Sequence, residues 1–261
     1  MKPWLILGLA AILMMPAAAD AIAADKENGK VTEKVVQTAG RDRLGDLAPE
    51  FARYNDDILF GEVWNKQDIL DLRSRSMITV AGLMGLGITD SSLQYHIQNA
   101  KNHGVTKREM TDLVTQLAFY LGWPKGWAVF PMVREVYKED IDGLPSEETS
   151  TGEKEVQTAG RDRLGDLAPE FARYNDDILF GEVWARNKVL SSHDRSMITV
   201  AGLMGAGILG EPLQAHLQLG KLHGITKEEI VDEVTQLAFY TGWPKAWAAF
   251  GKIREVYGVG R

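Results

Sequence analysis

One segment occurs twice in this chain, and that duplication constrains the fold more than any other feature. Gln37 to Trp64 reads QTAGRDRLGDLAPEFARYNDDILFGEVW, and Gln157 to Trp184 repeats it without a change. The match resumes from Arg75-Ser76-Met77 onto Arg195-Ser196-Met197, and from Thr115-Gln116-Leu117 onto Thr235-Gln236-Leu237, always 120 positions apart. Solenoid and propeller units run roughly 20–50 residues, whereas this period has the size of a small domain. The chain therefore reads as two copies of one domain, at 24–137 and 153–261. A linker at 138–152, rich in Glu, Asp, Ser, Thr and Gly around Pro145, joins them. Where the copies have drifted, the polar residues both retain become candidates for function.

Residues 1–23 read as a leader outside the fold. Lys2 supplies a basic start, Trp4 to Met15 an apolar stretch, and Ala17-Ala18-Ala19 or Ala21-Ile22-Ala23 a small-residue cleavage site. The apolar stretch is short of the roughly 20 residues of a spanning helix. The expectation is export, to a periplasm, with no membrane association after cleavage. Cysteine is absent, which excludes disulfides, thiolate metal sites and thiol-based catalysis. With a formal charge of −7 and no basic block, nucleic acid is not an expected partner. Neither an HExxH motif nor a His-carboxylate spacing common to both copies occurs, so no metal is expected. Phosphate-loop and nucleophile-elbow patterns are missing as well.

Both copies read as all-helical. Pro49 opens a first helix carrying Phe51, Tyr54, Ile58 and Leu59, which Gly61 is expected to bend or end. Asp71 caps a nearly all-apolar second helix running to Gly87, the expected central element. A third helix starts at Asp90 or Ser91 and stops at Gly104. Thr106 to Glu109 is a capping box for a fourth, repeated at Thr226 to Glu229, and Pro124 opens a fifth.

Four histidines form two repeat-related pairs, His96 with His216 and His103 with His223. His96 shares a helix face with Leu93, Ile97 and Ala100, so it is either a satisfied core group or a pocket-lining one. His103 falls in a last helical turn, where a cationic side chain suits the dipole. Arg75 and Arg195 begin the apolar helices and reach a carboxylate either of a ligand or of the protein itself. Glu62 and Glu182 sit beside apolar bulk that can desolvate a carboxyl and raise its pKa. Trp123 and Trp243 follow an apolar run that includes Leu117 to Tyr120, whose default place is core or interface.

The ordered set FGEVW, RSMITVAGLMGLG, H-x6-H-GVT-x2-E and TQLAFYLGWP resembles the carboxymuconolactone decarboxylase family, over roughly Gly40–Tyr137 and again over Gly160–Tyr257. The resemblance implies an all-α chain of two tandem AhpD-like domains. It also implies a homotrimer reproducing the hexameric rings of single-domain members. The alkylhydroperoxidase branch carries two cysteines ahead of the histidine. Here those positions hold Thr89 and Ser92, and Leu209 and Pro212, so the resemblance does not extend to thiol peroxidase activity. The decarboxylase branch implies cofactor-independent loss of CO2 from a small carboxylated lactone or oxo acid. Such chemistry needs a cation for the carboxylate, a donor for the developing oxyanion and a proton source. On that reading His96, His216, Glu62 and Glu182 are the catalytic candidates. Arg75 and Arg195 hold substrate, and Trp64, Trp184, Trp123 and Trp243 wall the site against water. The alternative is a non-catalytic exported binding or assembly protein on the same fold.

Overall fold

The computed structural model describes residues 23–25, 32–140, 151–152 and 157–258. The expected leader, apart from Ala23, and residues 141–150 of the expected linker lie outside the described residues. The architecture is all-α. The strands among the described residues form one short ribbon, β1 (Ala23–Asp25) antiparallel to β2 (Thr32–Lys34).

Two compact units are present, one ending at Asn65 and the other beginning at Lys66. The first contains α1 (Ala39–Leu44) and α2 (Pro49–Arg53), and α2 runs into a π-helical stretch, Tyr54–Val63. Asp56 ties these pieces together by accepting from the amides of Gly40 and Arg41, each at 2.9 Å. The helix runs through Gly61 to Val63, so Gly61 does not end it. The widened turns carry through it, and Trp64 N–H reaches back five residues to Leu59 at 3.0 Å. A Cβ on Gly61 would stand 3.1 Å from the Asp56 carbonyl oxygen, so the wide turn itself favours glycine.

The second unit carries the remaining helices of both repeats. In the first repeat these are α3 (Leu72–Leu86), α4 (Ser91–Asn102), α5 (Lys107–Leu121) and α6 (Trp123–Val136). The second repeat supplies α7 (Ala159–Leu164), then α8 (Pro169–Arg173) continuing as π-helical Tyr174–Trp184. It ends with α9 (Ser192–Ala206), α10 (Glu211–Leu222), α11 (Lys227–Thr241) and α12 (Trp243–Tyr257). The local signals act as read: Asp71 accepts from Ser74 N–H at 2.7 Å, both capping boxes form, and Gly87 and Gly104 take positive φ. The short helices α1 and α7 were missing from the sequence reading.

Repeat and compact unit divide the chain at different places. Central helices α3 and α9 pack on one another, α3 also packs on α11 of the second repeat, and α9 on α5 of the first. A single hydrophobic core thus draws on both repeats, from Met77, Val80 and Leu117 to Met197, Val200 and Leu237. Closeness at the α3–α9 crossing comes from glycine. A Cβ on Gly85 would lie 2.9 Å from Gly205 Cα, against backbone that cannot move aside. An apolar helix with small residues on its contact side buries more of itself against its own duplicate than against any polar surface, which explains the interlocking.

Candidate active site

Three elements of the second unit converge on His216. Helix α10 carries the imidazole, the preceding π-helical stretch presents Trp184, and α5 of the first repeat contributes Tyr120. The Trp184 indole stacks on His216 with centroids 6.0 Å apart and planes 11° from parallel. Tyr120 meets the same imidazole edge-on at 4.9 Å. Trp184 Nε1–H donates to Tyr120 Oη at 2.9 Å, which leaves the phenol proton for another acceptor. His223 lies on the indole too, at 5.8 Å, with its Nδ1 2.7 Å from Ser196 Oγ.

Burial pushes the His216 pKa down to about 4, and the neighbouring His223 adds to the shift. The ring is therefore neutral at pH 7, and its Nδ1 has no hydrogen-bond partner among the described residues. His96 is a counterpart in the first repeat. It meets Tyr240 edge-on at 5.1 Å and Tyr95 at 5.2 Å, and burial again lowers its pKa to about 4. Each histidine thus faces a tyrosine of the opposite repeat. Sequence reasoning placed Tyr120 in an apolar run and missed this role. The available signal was a phenol kept in both copies, at Tyr120 and Tyr240, at the end of a short apolar run.

His103 does more than complement a helix dipole. Ser76 Oγ lies 2.7 Å from Leu72 O and 2.7 Å from His103 Nδ1, so a hydrogen bond to the serine holds the ring in place. The same serine–histidine pair recurs at Ser196 and His223.

The arginines correct the sequence expectation of a substrate-holding cation. Arg75 is fully buried and forms an ion pair with Asp232. It also donates to Gln236 Oε1 at 2.6 Å and to Lys66 O at 2.6 Å. Arg195 repeats this with Asp112, Gln116 and the Arg186 carbonyl. Burial draws both guanidinium pKa values down, and the facing carboxylates oppose that shift. Of the two alternatives, the geometry fits the intramolecular pair, because the charge that would attract a ligand carboxylate is already neutralised.

The glutamates and outer tryptophans also depart from the expected site. Glu62 and Glu182 are exposed, so apolar bulk does not desolvate them. Glu182 lines a cleft of about 1080 Å3 whose walls do not include His216. Trp64 is buried and stacks on Phe60 at 5.9 Å. Trp123 and Trp243 are 55% and 56% exposed, each leaning on a phenylalanine, and so close no pocket around a histidine. Among the described residues, no group of three or more His, Cys, Asp or Glu is placed to hold a metal ion.

Comparison with known proteins agrees with the doubled architecture. The family model described as "Carboxymuconolactone decarboxylase family" matches twice, at residues 49–135 and 169–255. A 4-carboxymuconolactone decarboxylase of Acinetobacter baylyi is 34% identical over 98 residues, covering 38% of this chain and 72% of that protein. Two matches at corresponding places in the two repeats, spanning most of the helical chain, identify it as a member of the carboxymuconolactone decarboxylase family.

Proposed function

We propose that the protein is a cofactor-independent decarboxylase, or a related proton-transfer lyase, acting on a small carboxylated lactone or oxo acid. The observation that carries this reading is the neutral imidazole of His216 in its aromatic enclosure, faced by a phenol from the other repeat. When CO2 leaves such a substrate, the C–C electron pair delocalises into the unsaturated lactone as a dienolate and the carbonyl oxygen becomes an oxyanion. A neutral imidazole whose pKa lies near 4 is a poor reservoir of protons but a suitable hydrogen-bond donor to that oxyanion. Tyr120 O–H is the second donor, and a proton from solvent then adds to the dienolate carbon to give the product. The low-dielectric surroundings strengthen both bonds as charge develops. Similarity to a decarboxylase in sequence supports the reaction class. The same reading takes the chain as an exported homotrimer, with Trp123 and Trp243 on its contact surface.

The test is CO2 release from 4-carboxymuconolactone by the whole protein. His96→Ala and His216→Ala should each remove part of the turnover, and the double substitution should lower it about 10²–10³-fold. A folded double variant with wild-type turnover would end the assignment of the histidines. A second reading, binding or assembly without catalysis, is favoured by one observation: Arg195 and Glu182 do not join His216. Failure of the wild-type protein to release CO2 from this lactone or from related oxo acids selects that reading.

A further inference from the structure

The large cleft in the second unit is formed by α5 and α6 of the first repeat on one side. Residues 181–186, at the end of the second repeat's π-helical stretch, form the other side. Its charge runs against that of the chain. Lys107, Arg108, Arg134 and Lys138 line the first wall and Arg186 the second, in a protein of net charge −7. Lys138 is paired with Glu135 at 2.9 Å, and the acidic residues of the lining are Asp112 and Glu182. Asp112 is consumed by Arg195 and by Arg186 Nε at 2.6 Å, which leaves Glu182. Arg134 makes no ion pair or hydrogen bond among the described residues, and Arg186 uses one of its five side-chain N–H groups on Asp112. Phe130 and Trp127, the latter 77% exposed, line the same cleft.

Repeat comparison separates this cleft from an ordinary solvated face. Trp127, Phe130 and Arg134 persist in the second copy as Trp247, Phe250 and Arg254. The charge around them persists only in part: Lys107 is kept as Lys227 and Arg186 answers to Lys66, but Arg108 becomes Glu228 and Lys138 becomes Gly258. One aromatic-bearing surface has thus diverged into two of different charge, with the stronger cationic character in the first repeat. Concave walls concentrate the field of such cations and raise the local concentration of anions. Cations on both walls of a cleft that also holds two aromatic side chains match two carboxylates held apart by a flat spacer, since guanidinium forks recognise carboxylate and stack on π-faces.

We infer that this cleft is a binding site for a planar dicarboxylate, separate from the histidine enclosures and independent of any turnover there. The experiment is calorimetric titration of the full chain with benzene-1,4-dicarboxylate, with benzoate as the single-carboxylate comparison. Saturable binding with a Kd below about 1 mM is expected, weakening as salt is raised. Arg134→Gln, at an exposed position, and Arg108→Glu, at a half-buried one, should each weaken it about tenfold, and benzoate should bind about tenfold more weakly. Arg254→Gln, at the equivalent place in the other repeat, and His216→Ala should leave the Kd unchanged. Circular dichroism confirms that each variant is folded. Absence of saturable binding overturns the inference. So does an unchanged Kd in both Arg134→Gln and Arg108→Glu, an equal loss in Arg254→Gln, or equal affinity for benzoate.

Discussion

Arg75 of the first repeat and Asp232 of the second form a buried ion pair, and Arg195 with Asp112 forms its mate. The partners are 157 positions apart in the chain for the first pair, so the bond exists only when α3 meets α11. Removing one charge strands the other away from water. Asp232→Ala should therefore destabilise the fold by about 3–5 kcal/mol, read as a drop in the urea midpoint. Replacing both partners by apolar residues, Arg75→Met with Asp232→Leu, should recover most of that loss. A single substitution costing under about 1 kcal/mol would show that Arg75 finds water or another partner.

The glycine crossing of α3 and α9 makes a second expectation. Gly85→Ala puts a methyl group against the backbone of Gly205 and Ala206, both 2.9 Å away, and neither helix can retreat without opening the shared core. A loss of about 1–3 kcal/mol follows from overpacking of this kind, measured as a lower melting temperature. Gly251→Ala in α12 is the control. Among the described residues nothing lies within 4 Å of its added Cβ, and helix propensity should make it neutral or stabilising by up to about 1 kcal/mol. Equal effects at the two sites would contradict the close packing.

Glu233 gives the stability a pH dependence of definite sign. It is fully buried where the first repeat has Leu113, both carboxyl oxygens lack hydrogen-bond partners among the described residues, and burial raises its pKa well above 4.5. The unfolded chain releases this proton near 4.5 and the folded chain only at the raised value. Across that interval the folded state holds more protons, so stability falls as pH rises. Glu233→Leu should therefore stabilise the protein at pH 7 to 8, with the gain shrinking toward pH 4. The depressed histidines act oppositely: stability resting on neutral His96 and His216 is lost as pH drops from 6.5 to about 4. Denaturation curves at several pH values test both slopes, and a Glu233→Leu gain that grows on acidification would refute the assignment.

By itself, the sequence determined this protein's family, its helical class and most of its helix ends. Those features depend on interactions within a few residues. A side-chain oxygen at Asp71 or Thr106 reaches an amide three positions on, and Gly87 or Gly104 can turn the chain where a Cβ would strain it. The retained histidines were legible for a related reason, as polar groups kept in both copies of a drifted helix. Only the tertiary structure decided what those residues face. Arg75 reads equally as a ligand contact or an ion pair until α11 brings Asp232 beside it. Tyr120 belongs to an apolar run until α5 lays it against His216. Glu233 is one substituted letter until burial takes its solvent away. Burial and partner choice follow from which apolar faces associate across the whole chain. In a duplicated sequence every face has two equivalent candidates, so local spacing cannot say which repeat provides the neighbour.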